Sequence, residues 1–170
     1  MSIFPTKVLL ATDASEEAEL AARTAADLQQ KTGSQLHVVH VFGIAPVGPP
    51  FYPEAADVQG EALEEEVEEQ ISEQRAREVL EVEVGKVRSA GGTVVQAHLI
   101  EGRIAPQIVG LAEQIGAGLI VMGSRGYGGI RRALMGSVSD AVMRHAHCPV
   151  LVVRAGSGKP VVVDSTMVSV

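Results

Sequence analysis

Short apolar runs alternate along the chain with longer stretches whose apolar positions recur every three or four residues. The runs KVLLATD (7–13), QLHVVHVF (35–42), TVVQAHLI (93–100), GLIVMG (118–123) and PVLVV (149–153) are bounded by turn residues, and they predict five strands, the first of them buried. SEEAELAARTAADLQQKTG (15–33) predicts a helix between the first two. Ser15 is a good N-cap, Glu16 and Glu17 suit the positive end of the helix dipole, and Gly33 is a good stop. Its apolar positions, Ala18, Ala21, Ala22, Ala25 and Leu28, form a narrow face. GIAPVGPPFYPEAADVQG (43–60) is a long Pro/Gly-rich connection, of the kind that usually carries function. A helical segment over 61–90 follows, with Leu63, Val67 and Ile71 spaced four apart and Gly85 marking a break or an early end. APQIVGLAEQIG (105–116) predicts the next helix, and Ser137 to His145 the last, with Val138, Ala141, Val142 and His145 on one face.

Strand and helix therefore alternate five times over. That order implies an α/β domain, a parallel sheet with right-handed crossovers and helices on both faces. Ligands of such sheets bind beyond the carboxyl ends of the strands, where the strand order reverses. The polar or glycine-rich strand ends are Thr12-Asp13, His40 to Gly43, Glu101-Gly102 and Gly123 to Gly126, and they are expected on one rim.

Composition agrees with this reading. The 170 residues are 46% apolar, only 3% aromatic and lack tryptophan, so the core is aliphatic, as in a buried parallel sheet. The net charge of −7 does not resemble the footprint of a nucleic-acid binder, although the acid is concentrated in 61–83 and says little about the ligand. A single cysteine precludes an intramolecular disulfide. The N-terminus lacks the pattern of a signal peptide and no apolar run approaches about 18 residues, so no membrane partner is expected and the cytoplasm is the expected compartment.

The candidate chemistry lies in GSRGYGGIRRALMGSV (123–138), between the fourth strand and the last helix. Glycines allow a backbone to approach a ligand closely, and successive N–H groups can form an anion nest. Gly136-Ser137 stands at a helix start, where unpaired N–H groups favour an anion. Arg125, Arg131 and Arg132 add positive charge. These parts suit a polyphosphate. They are equally compatible with a surface loop and a helix cap. GxxxxGK[ST] is absent, and ATDASE stands where a GxGxxG would follow the first strand, so neither familiar phosphate motif applies.

Gly123, Gly126 and Gly136-Ser137 match the G-x2-G-x9-G-[S/T] nucleotide motif of the universal stress protein family. ATDASE, HVVHV, GLIVMGSRG and CPVLVV are also similar to that family, and the resemblance spans about 5–154. It implies one domain over 1–154 followed by an extension over 155–170, a five-stranded sheet of order 3-2-1-4-5, and the ATP-binding branch. By the same resemblance, Asp13 lies against the nucleoside, with Ala11 and Thr12 beside it. Val41 contacts adenine through its backbone, Met122 lines the base pocket, and Gly123 approaches the ribose and first phosphate. Gly126, Gly136, Ser137 and Val138 surround the phosphates, and Arg125 stands at a variable position facing phosphate or solvent. Ala11 replaces a proline found in some relatives.

Other readings of single residues stay open. Asp13 also suits a cap of the first helix, and Met122 also suits the core. The five histidines show no metal pattern, with His37 and His40 on opposite faces of one strand. Cys148 is expected to be a small apolar filler rather than a nucleophile. The acidic run is a solvated helix face with pairs such as Glu73–Arg77.

The implied function is a stress-response regulator or sensor that binds ATP, with Mg²⁺ or Mn²⁺ held by the phosphates, and hydrolyses it slowly at most. No catalytic residue or protein-held metal is assigned. The alternatives are a nucleotide-free interaction module, or a slow ATPase or AMP-binding protein on the same fold. Relatives dimerise through the last strand, so Pro149 to Arg154 is the expected homodimer seam. PVVVD (160–164) in the tail resembles a further strand, either docked on the partner or a frayed terminus.

Overall fold

The computed structural model describes residues 6–43, 58–124 and 136–155, with side chains in the second stretch from residue 70 onward. Strand β1 (Lys7–Thr12) is the middle of the sheet. It pairs in parallel with β2 (Gln35–Phe42) on one edge and with β4 (Leu119–Gly123) on the other. Beyond these lie β3 (Val94–Glu101) and β5 (Val150–Val153), giving the order β3-β2-β1-β4-β5. The expected fold class and strand order are therefore observed.

Alternation along each strand divides the core in two. Val8, Leu10, Leu36, Val38 and Val121 face helices α1 (Glu16–Thr32) and α2 (Val58–Ser89). Leu9, Ala11, Val39, Val41, Ile120 and Met122 face α3 (Ile104–Ile115) and α4 (Ser137–His145). Right-handed crossovers force this arrangement: connections running outward through β2 and β3 fall on one face, and those running back through β4 and β5 fall on the other.

The local chemistry of α1 is as the sequence indicates. The Ser15 side chain accepts from Ala18 N at 3.2 Å, and Gly33, at φ 69°, donates its N–H to Gln29 O. The alanines at 18, 21, 22 and 25 are buried. β1 ends at Thr12 rather than Asp13 because the Asp13 carboxylate turns back to accept from Ser15 N at 3.1 Å.

Helix α2 differs from expectation. It begins at Val58 and runs unbroken through Gly85 to Ser89, a length of roughly 48 Å at 1.5 Å per residue. The face that packs on α1 and the sheet is Ala76, Leu80, Val84 and Val87. Ile71 lies about 140° around the helix from Ala76 and is 46% exposed. The glycine penalty of about 1 kcal/mol is outweighed by burial of Leu80, Val84 and Val87 on either side of it. The Glu73–Arg77 pair forms at 2.6 Å on the exposed face and contributes a few tenths of a kcal/mol.

His37 and His40 do fall on opposite faces. His37, on the α3 side, is buried and stacks on His98 of β3 with ring centroids 5.5 Å apart. His37 Nδ1 lies 3.2 Å from His98 Nε2. Burial, reinforced by the positive ends of His98 and Lys7, holds the His37 imidazole below its ordinary 6.5, and burial does the same to His98. The folded protein therefore binds fewer protons than the unfolded chain. The stabilisation is present above the ordinary imidazole range and is lost as pH falls through it. The unfolding midpoint in urea is expected to drop between about pH 8 and about pH 5, and His98→Gln to flatten that drop. A midpoint equally steep in the variant contradicts the assignment to this pair.

Candidate functional site

The strands all point their carboxyl ends to one rim, and the order reverses between β1 and β4. At that point Ala11 is the direct cross-strand neighbour of Met122, and on β1's other edge it pairs with Val39, two residues before Val41. Ala11, Val41 and Met122 share the face covered by α3 and α4. Exposure opens along each strand toward the rim: from 0% at Leu9 to 6% at Ala11, from 1% at Val39 to 6% at Val41, and from 0% at Ile120 to 5% at Met122. The three side chains thus form an apolar floor just under the rim.

Thr12 lies at the end of β1 but points the other way. Its hydroxyl donates to Glu83 Oε2 of α2 at 2.8 Å, and its carbonyl accepts from His40 Nδ1 at 2.9 Å. Since a carbonyl can only accept, His40 carries its proton on Nδ1. Ala14 follows at φ 64°, the left-handed region a residue with a Cβ seldom adopts, and Ser15 then caps α1. Asp13 is not the cap of α1, a role that falls to Ser15; its carboxylate accepts from Ser15 N, and it follows the carboxyl end of β1.

The end of β4 packs tightly on the start of α1. A Cβ on Gly123 would lie 3.0 Å from Glu17 C and Cβ and 3.1 Å from Ala18 N. The alanine face of α1 allows this approach, so Gly123 has a packing reason of its own. Ser124, buried, donates its hydroxyl to Glu17 Oε2. Its N–H continues the ladder to Val153 O at 2.8 Å, and its carbonyl accepts from Gly136 N at 2.7 Å and Ser139 Oγ at 3.0 Å. These bonds carry α4 to the rim, with Val138 packed against the same core layer as the floor.

Two helices begin near the switch point, and they differ. The N-terminus of α1 is capped by Ser15 and carries Glu16, Glu17 and Glu19 in its first turn. That of α4 starts at Gly136 with no side-chain cap, and Asp140 is the acid in its first turn. The opening N–H groups of an α-helix have no partner within the helix. Ser137 is exposed there. An anion at this rim is therefore favoured at α4 and disfavoured at α1.

Of the residues singled out in the sequence, the structure brings together Ala11, Asp13, Val41, Met122, Gly123, Gly136, Ser137 and Val138. It turns the Thr12 side chain toward α2. Arg125 and Gly126 lie outside the described residues, as do 156–170 with PVVVD. Glu83, Ser124 and Ser139 escaped the sequence reading, as did the bond between Ser124 and Glu17. Glu83 carries one usable signal: it lies three residues after Leu80 and four before Val87, on the packing face. Among the described residues no three His, Cys, Asp or Glu side chains are placed to hold a metal, and no helix is long and apolar enough to cross a membrane. Cys148 packs at the edge of the α3/α4 layer, where burial pushes its thiol up.

The universal stress protein family model matches residues 5–154. Universal stress protein MJ0531 of Methanocaldococcus jannaschii is 34% identical over 149 residues, covering 87% of this chain and 81% of that protein. Universal stress protein Sll1388 of Synechocystis is 35% identical over 152 residues, covering 87% and 97%. The solved structure of MJ0577 superposes with a TM-score of 0.70 at 25% identity, covering 90% of this chain and 98% of that one. A universal stress protein from Archaeoglobus fulgidus, solved in complex with dAMP, superposes with a TM-score of 0.57 at 25% identity, covering 89% and 99%. The chain belongs to the universal stress protein family.

The contact at Gly123 makes a prediction independent of any ligand. Gly123→Ala pushes a Cβ into the backbone of α1 and is expected to destabilise the free protein by about 1–3 kcal/mol in denaturant unfolding. An unchanged unfolding midpoint indicates that α1 can retreat without penalty.

Proposed function

We propose that this member of the universal stress protein family binds ATP at the β1/β4 switch point and works as a nucleotide-dependent regulator, with hydrolysis slow at most. The observation that carries the reading is the floor of Ala11, Val41 and Met122 set beside the uncapped N-terminus of α4. An aliphatic slot next to an anion-favouring helix start is what a nucleotide's flat base and charged phosphates require. The dAMP complex of the Archaeoglobus relative supports an adenine nucleotide in particular.

In this reading adenine lies over the floor, Asp13 and Gly123 border the nucleoside, and the backbone before Asp13 closes its edge through Ala11 and Thr12. The phosphates meet the N–H groups of Ser137 and Val138 beside Gly136, whose own N–H is held by Ser124 O, with Gly126 and Arg125 completing the cradle. Mg²⁺ or Mn²⁺ would accompany the nucleotide through its phosphates. Occupancy changes the surface that a partner protein meets at the rim.

Denaturing the purified protein and identifying the released nucleotide by chromatography and mass spectrometry tests the reading directly. Near one ATP per chain is expected. In titrations of stripped protein, Asp13→Ala is expected to weaken ATP binding about tenfold, the size of one lost charge-assisted hydrogen bond. Chelating the divalent ion should weaken ATP more than AMP, because AMP has no polyphosphate to bridge. Protein that carries no nucleotide and gives no heat with ATP or AMP sinks the proposal and leaves an interaction module.

We also propose a homodimer through β5. This strand is an edge of the sheet, with Leu151 37% exposed on it. Apolar edge strands are commonly paired or covered. Leu151→Glu is expected to shift a sedimenting dimer to monomer; a wild-type protein that sediments as a monomer at micromolar concentration contradicts it.

A further inference from the structure

Glu83 is a carboxylate with no exposed surface, on the face of α2 that packs against α1 and the sheet. A leucine or valine would fill such a position without the desolvation that an ionised group suffers. Both of its oxygens are engaged. Oε1 accepts from Lys86 Nζ at 2.7 Å, and Oε2 accepts from the Thr12 hydroxyl at 2.8 Å. Lys86 is partly exposed and also stands 4.0 Å from Glu19 of α1, so the charge of Glu83 is balanced from the solvent side. Its inner oxygen is left to do one thing, which is to hold Thr12.

Thr12 is where β1 stops, and it is held twice. His40 Nδ1 grips its carbonyl from β2, and Glu83 grips its hydroxyl from α2. Because the hydroxyl proton is given to Glu83, a lone pair of the same oxygen is turned toward Ala14 N, 3.4 Å away. Ala14 sits in the left-handed region, a conformation that must be maintained by its surroundings. Asp13 lies between these two residues, and its own carboxylate accepts from Ser15 N. Asp13 is thus braced by bonds on either side of it, and from outside the turn the side chains of His40 and Glu83 both hold Thr12, Glu83 being the one that comes from a helix.

We infer that Glu83 is a positioning residue for the nucleotide site: through Thr12 it fixes the β1–α1 turn that aims Asp13, and so ties α2 to the site. The inference rests on the nucleotide reading above. It makes the coupling reciprocal, since whatever the nucleotide gains from a fixed turn, the Glu83–Thr12 bond gains from the nucleotide.

The test compares wild type, Thr12→Val, Glu83→Met, the double variant and Glu83→Gln, each well below its own melting temperature. ATP affinity is read by calorimetry, and amide hydrogen exchange of the peptide spanning 13–15 is read on the same samples without nucleotide. Thr12→Val and Glu83→Met are each expected to weaken ATP about tenfold. The double variant should be no more than about twofold weaker than either, because both remove one bond. Glu83→Gln keeps an oxygen for Thr12 and should stay within about threefold of wild type. Exchange over 13–15 should quicken about tenfold in Glu83→Met and Thr12→Val. A residue that merely stabilises the fold would lower the melting temperature and leave the affinity of the folded protein alone. Wild-type binding with unaltered affinity in Glu83→Met, additive losses in the double variant, or unaltered exchange over 13–15 each overturn the inference while the nucleotide reading stands. Wild-type protein that binds no adenine nucleotide overturns that reading, and the role assigned to Glu83 with it.

Discussion

Strand β1 has hydrogen bonds along both edges and helices over both faces, and the rest of the molecule is organised by that confinement. A strand so placed offers no position from Val8 to Ala11 at which a polar side chain could reach water. Its first opportunity for chemistry is its carboxyl end, where the ladder stops and Thr12 and Asp13 follow. The same confinement sets where a ligand enters. Connections leave β1 and β4 on opposite faces, so the sheet parts between their ends and nowhere else along its middle. The apolar floor and the helix start that meet there draw on residues as far apart in the chain as Ala11 and Val138.

A second constraint follows from the size of the side chains on α1. A row of alanines brings that helix close to the sheet, and closeness has consequences at both ends. At the rim it leaves no volume for a Cβ on Gly123. It also brings Glu17 against Ser124, which fixes the residue from which the glycine-rich segment departs. Packing alone therefore asks for this glycine, and a glycine in such a motif is not by itself a record of ligand contact.

What was legible in the sequence is what depends on neighbours in the chain. Buried parallel strands appear as unbroken apolar runs, and caps such as Ser15 and Gly33 act within four residues. The spacing of Gly123, Gly126 and Gly136-Ser137 marked the segment that leads to the rim. What stayed illegible depends on contacts between distant residues. Glu83 meets Thr12 from 71 positions away, and Ser124 meets Glu17 from 107. In a stretch as acidic as 61–83, one buried glutamate is masked by its solvated neighbours. Gly85 misled for the converse reason: a local weakness decides a helix end only when packing does not hold both sides, and here Leu80, Val84 and Val87 do.

At the base of the glycine-rich segment, Ser124 O gathers Gly136 N and Ser139 Oγ, so the chain leaves and re-enters the scaffold through a closed neck. The scaffold itself thus holds together the two points between which residues 125–135 run. Closing a longer or shorter stretch between fixed points changes the free energy only logarithmically with its length. The sheet and α4 are therefore a chassis onto which segments of different length and chemistry can be spliced, by divergence or by a protein engineer, while the frame keeps its geometry.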